Sequence, residues 1–207
     1  MENVTARARG RPRAFDRDAV LDHAIITFWS RGYSGTSLDN LTDSMAISRP
    51  SLYAAFGSKH ELFLEVIDRY AATLGGVPFS ALKSGIGGRQ AVADFFELII
   101  RCATSKGKPK GCLIASVATF EAEVDDQVRD KVSTMTGEAE QAMAAYFQSA
   151  QEDGRLSGEH EPAALARILI SVGHSIAARA RAGASRKQLL VIADDFMAIL
   201  FPGQGQD

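Results

Sequence analysis

The chain has 207 residues, 46% of them hydrophobic and 23% charged, with a formal net charge of −2 at neutral pH. That supplies a core for one domain or two small ones, while no apolar run reaches the roughly 18 to 20 residues of a membrane span and the Arg-rich start lacks the apolar stretch of a secretory signal. Two cysteines and four histidines, in no metal-ligand spacing, exclude a disulfide framework or zinc finger, so no cofactor, metal or membrane partner is expected and the cytoplasm is the expected location.

Residues 1–14 carry Arg7, Arg9, Arg11 and Arg13, with Gly10 and Pro12 between them. Nothing there packs a core, so a flexible basic arm is expected. Arg9 and Arg11 are candidates for the DNA minor groove, the alternative being a solubilising tail. Charge is split along the chain. Residues 1–60 hold eight Arg/Lys against six acids, and the remainder is acidic overall. A basic head on an acidic body suits a nucleic-acid reader.

Asp16 caps a first helix running to about Arg31, with Gly32 as its stop. Val20, Leu21, Ala24, Ile25, Phe28 and Trp29 share one face of it. Ser37 caps a second helix, in which Leu38, Leu41 and Met45 line up. Ala46 and Ile47 make a tight turn, and Ser48 caps a third helix with Pro50 in its first turn, where a missing N–H costs little. Leu52 and Phe56 point inward. Ser48, Arg49, Ser51, Tyr53 and Ala54 are left on the outer face. This is the build of a helix-turn-helix, whose second helix enters the major groove.

Arg49 is the best base reader there, since a guanidinium can donate two hydrogen bonds to guanine. Ser48 and Ser51 are candidates for phosphates or base edges, Ser37 and Tyr53 for a phosphate, and Ala54 for a thymine methyl. Lys59 opens the fourth helix, an odd place for a cation unless a phosphate binds there as well.

Thr36-Ser37-Leu38, Leu41, Ile47 to Phe56 and Ser58 to Phe63, with the helix before them, resemble the DNA-binding domain of TetR/AcrR-type transcriptional repressors. The resemblance covers about the first third of the chain. It implies an all-α protein of about nine helices: a three-helix DNA-binding domain with a helix-turn-helix, then a helical ligand-binding and dimerisation domain. It also gives Lys59 a phosphate contact and implies a homodimer on a double-stranded DNA operator, released by a small-molecule effector. The expected layout is 1–14 arm, 15–60 DNA-binding domain and 61–207 ligand-binding and dimerisation domain. No catalytic cluster stands out, so an enzyme is not expected. The alternative is a helical ligand-binding or enzymatic protein with an incidental helix-turn-helix.

The fourth helix starts at Ser58, with Glu61 three on as in a capping box, and runs to about Leu74. Gly75 to Gly88 reads as a linker. Further helices are expected over about 89–103, 112–121, 125–153, 162–182 and 185–200. Phe96, Ile100, Arg101, Cys112, Val117, Phe120, Phe147 and His174 are the candidate pocket residues. Arg101 would pair with an acidic ligand, and Cys112 is a thiol contact or simply a small buried hydrophobe. The last two helices carry more apolar surface than one packing face needs. Ile168, Val172, Ser175, Leu189, Ile192 and Phe196 are therefore the candidate dimer interface, a four-helix seam about a two-fold axis.

Overall fold

The computed structural model describes residues 15–83 and 88–202. Among them every regular element is helical. The order is α1 (Arg17–Arg31), α2 (Leu38–Met45), α3 (Arg49–Phe56), α4 (Lys59–Tyr70), α5 (Arg89–Ala103), α6 (Thr119–Glu121), α7 (Asp126–Glu152), α8 (Pro162–Arg181) and α9 (Arg186–Leu200). Arg9 and Arg11 lie outside the described residues.

Side-chain caps set the helix starts. The Asp16 carboxylate accepts from the N–H groups of Asp18 and Ala19. Ser37, Ser58 and Ser185 each close a capping box, with Asn40, Glu61 and Gln188. Such caps contribute about 1 kcal/mol each. Ala46, in the turn between α2 and α3, has φ 53°, a left-handed conformation that L side chains rarely adopt. It lets the chain reverse within three residues.

Two cores form. The first packs the six apolar residues read from α1 against Leu41, Met45, Leu52 and Phe56 and against Leu62, Phe63, Val66, Ile67 and Tyr70 of α4. All are nearly solvent-free, and each large side chain contributes about 1.5–3 kcal/mol. Leu113, Val117, Ala118 and Val128 join this core from later in the chain, so the reading head and the body are continuous under α4. The second core is built by α5, α7, α8 and α9 around Phe95, Phe96, Ile100, Phe147, Leu169 and Leu189.

Three expectations change. The stretch after α4 is not an open linker. The helix continues as a π-helical turn over Ala71–Gly75, and Val77–Lys83 forms a 3-10 helix. Phe79 stacks edge-on against Phe95 with ring centroids 5.4 Å apart. Pro78 is the second residue of that 3-10 helix, and the apolar residues after it still find the core. The segment expected as one buried helix over 112–121 is helical without a break from 113 to 121, but its ladder is π-helical over Ile114–Ala118 before the single turn of α6. Finally, α8 is long and apolar enough in length and composition to cross a membrane. One side of it is core (Leu165, Ala166, Leu169, Ile170, Ile176 and Ala180), and it carries Arg167, Arg179 and Arg181, which suits a core helix.

Candidate nucleic-acid interface and ligand cavity

α3 is held by its inward side chains, and its other face is open. Leu52 and Phe56 are buried, while Ser48, Arg49, Pro50, Tyr53 and Ala54 are exposed and Ser51 is half-buried. Tyr53 keeps 48% of its surface, so its ring is available rather than packed away. The Ser48 hydroxyl accepts from the Ser51 N–H at 3.3 Å and lies 2.9 Å from the Ser51 hydroxyl. That hydroxyl pair is partly spent on the helix start. Ser37 is likewise a capping residue, accepting from Asn40.

Arg49 is not free in this state. Its Nη2 donates to Asp39 Oδ1 at 2.6 Å and its Nε at 3.2 Å. The carboxylate raises the guanidinium pKa further and fixes the direction of the fork. Lys59 opens α4 with its Nζ 4.2 Å from the centroid of the Tyr33 ring. Partial burial lowers its pKa, against the pull of Glu121. Arg49 is thus the first residue of α3, and Lys59 opens the helix that follows it.

α4 links this face to the body. His60 Nε2 lies 2.7 Å from Asp125, the cap of α7, and Lys131 Nζ lies 2.6 Å from Asp68. Arg181, at the end of α8, donates to the Trp29 carbonyl at 2.9 Å. That carbonyl belongs to the last turn of α1, where backbone acceptors are otherwise unpaired.

Behind α4 lies a cavity of about 670 Å³. Tyr70 and the π-helical turn after it form one wall. Phe95, Ile99 and Cys102 of α5 form another, with Cys112 before the second π-helical turn, Met135 and Ala139 of α7, and Ile170, Gly173, His174 and Ala177 of α8. His174 is exposed by surface area, yet the protein atoms packed around it lower its pKa by desolvation, against Glu140. Burial, and then the Cys112 thiol beside it, push the Tyr70 phenol far up. Burial also raises the Cys102 thiol, against Arg101 and Lys108.

Of the pocket residues read from sequence, the cavity takes Cys112 and His174. Phe96, Ile100 and Phe147 are 1% exposed or less and sit in the body core, because the inward face of α5 is wider than the cavity. Val117 belongs to the head-side core. Phe120 is 76% exposed, since the short α6 turns it outward. Arg101 is exposed and off the wall, which removes the acidic-ligand pairing. The wall residues missed by sequence reasoning include Tyr70, Ile99, Ile170, Gly173 and Ala177. The spacing of 170, 173 and 177 around His174 on one helix face was the available signal.

On the candidate seam, Leu189 is fully buried within the protomer and leaves the set. Val172, Ser175, Ile192 and Phe196 are half-buried. Ile168 of α8 is 51% exposed, and Val191 (51%) and Ile199 (76%) of α9 are exposed as well.

Comparison with known proteins gives this geometry its frame. Residues 20–66 match the family of bacterial regulatory proteins, tetR family, and residues 88–193 the tetracyclin repressor-like C-terminal domain. The chain belongs to the tetR family. Over 191 residues this tetR-family chain is 34% identical to the HTH-type transcriptional repressor ComR of Escherichia coli (strain K12), covering 90% of each. It is 30% identical over 161 residues to the uncharacterized HTH-type transcriptional regulator YezE of Bacillus subtilis (strain 168), covering 77% of this chain and 83% of YezE. It also superposes on a cysteine mutant of the TetR family transcriptional regulator CifR complexed with 26-bp double-strand operator DNA. There the TM-score is 0.82 and the identity 35%, over 93% of this chain and all of that one. The protein is therefore a DNA-binding transcriptional regulator of the tetR family and not an enzyme, which disposes of the incidental helix-turn-helix.

Proposed function

We propose that this regulator acts in the cytoplasm as a homodimeric repressor that binds an operator through α3 and leaves it when a small molecule occupies the cavity. In this reading Arg49 reads a base, with Tyr53, Ala54, Ser51 and the exposed Pro50 completing the groove face. Lys59, Ser37 and Ser48 hold phosphates. Sequence comes from base edges and register from the phosphates.

The observation that carries the switch is the span of α4. Its first residue, Lys59, adjoins the reading helix, and its last residue, Tyr70, with the π-helical turn beyond, is cavity wall. π-helical turns inside helices are local departures from the regular ladder, frequent at functional sites. A ligand pressing on Tyr70 is also felt at α1, because the Tyr70 ring meets Trp29 edge-on at 5.3 Å. By linkage, the effector must bind the DNA-incompetent state more tightly.

The dimer is read from Ile168, Val191 and Ile199, with Val172, Ser175, Ile192 and Phe196 behind them. Ile168→Asp places a charge on the exposed face without touching the protomer core. Sedimentation should find wild-type dimers and variant monomers of equal helicity, with operator binding lost in the variant. A variant that stays dimeric would move the interface elsewhere.

A further inference from the structure

Among the described residues, no lysine or arginine lines the cavity wall. Its titratable members are Tyr70, Cys102, Cys112, His174 and Glu138. Tyr70 and Cys102 are pushed up by burial, and His174 is pushed down. At neutral pH the phenol, that thiol and the imidazole are therefore all uncharged. Glu138 is exposed and in contact with water. Glu140 lies near His174 but is not a wall residue. Elsewhere the wall is Phe, Ile, Leu, Met, Val, Pro, Ala and Gly with two threonines.

A buried ion loses hydration worth several kcal/mol unless a partner charge replaces it. An anion bound here meets no cation among the described wall residues, and shares the wall with the Glu138 carboxylate. A cation finds one wall carboxylate among the described residues, Glu138, which is exposed to water. A neutral apolar molecule loses little and gains the burial of its surface. The neutral imidazole of His174 offers one donor and one acceptor. The volume lies within the range of small-molecule pockets, about 300–1,000 Å³.

We infer that the effector is an uncharged, mainly apolar molecule with a single neutral hydrogen-bonding group, seated between Tyr70 and His174. This rests on the cavity being the effector site.

The test uses the full chain and one ring system in three charge states. The probes are N-phenyl-1-naphthylamine, which is neutral, 8-anilino-1-naphthalenesulfonate, which adds a sulfonate, and the same anilinonaphthalene carrying a trimethylammonium group. Fluorescence titration should show the neutral dye bound at one site per chain, at least tenfold tighter than either ion. Ala142→Phe, an exposed position at the cavity edge, should weaken the neutral dye at least tenfold with unchanged thermal unfolding. His174→Lys should reverse the order of neutral dye and sulfonate. Equal or tighter wild-type binding of either ion, or neutral-dye binding indifferent to Ala142→Phe, overturns the inference. Adding saturating neutral dye to the operator complex separates the two readings. Dye bound at the cavity with the operator still held leaves the ligand class standing and overturns the switch.

Discussion

Arg49 on α3 and Asp39 on α2 are joined across the helix-turn-helix, Nη2 to Oδ1 at 2.6 Å. The residue proposed to read a base is thus aimed by a carboxylate that DNA phosphates would repel. Removing the acid and removing the base should have opposite signatures. Asp39→Asn should strengthen binding to every sequence and lower the ratio of specific to non-specific affinity, because the fork is no longer oriented. Arg49→Ala should cost about 1 to 3 kcal/mol on the preferred site and relax one base position. Equal losses on all sequences for Arg49→Ala would make it a phosphate contact.

Lys59→Ala should weaken all DNA sequences alike and reduce the slope of log affinity against log salt by about one. Its ammonium now sits over Tyr33 and would have to turn from the ring to a phosphate. A loss confined to one operator would contradict the phosphate assignment.

Ala46 holds a left-handed φ of 53° in the turn of the motif. That conformation costs an L residue about 1–2 kcal/mol, of which glycine's extra chain entropy returns part. Ala46→Gly should therefore raise unfolding stability by about 0.5 to 1 kcal/mol. A β-branched residue there should lower it. Urea unfolding checks both, and a destabilised glycine variant would mean that the turn is not strained.

Much of this was legible in the sequence, for definite reasons. α1 through α4 repeat apolar residues at helical spacing and open on Ser or Asp caps, so local chemistry alone marks them. Phe120 and Leu189 were misplaced because periodicity identifies an apolar face without saying what covers it. Phe120 lies on a single turn that points outward, and Leu189 is used up inside its own protomer. The cavity was mostly hidden. Its wall draws on α4, α5, α7 and α8, far apart in the chain, and Gly75-Gly76 reads as a break although the helix runs to Gly75 as a π-helical turn. The Arg181 bond to Trp29 spans 152 residues, beyond any local pattern.

His174 gives the protein a pH dependence with a defined sign. Burial lowers its folded pKa below the ordinary 6.5. Between that lowered value and 6.5 the unfolded chain binds more protons than the folded one, so stability rises with pH there. The His174 contribution is complete above about 6.5 and is lost as the pH falls toward the folded value. His174→Gln should flatten the fall in urea midpoint between about pH 7 and pH 5. An unchanged fall would place the responsible groups elsewhere.

The central claim is that α3 reads DNA as one half of a symmetric pair. The most direct test is selection of bound duplexes from a random pool by the full-length protein at fixed salt, repeated with Arg49→Ala. Wild type should enrich a palindromic site whose half-sites are centred about 10 base pairs, or a multiple of that, apart. The variant should lose preference at one position in each half-site. A pool that stays random, or an enriched site without two-fold symmetry, would contradict the account.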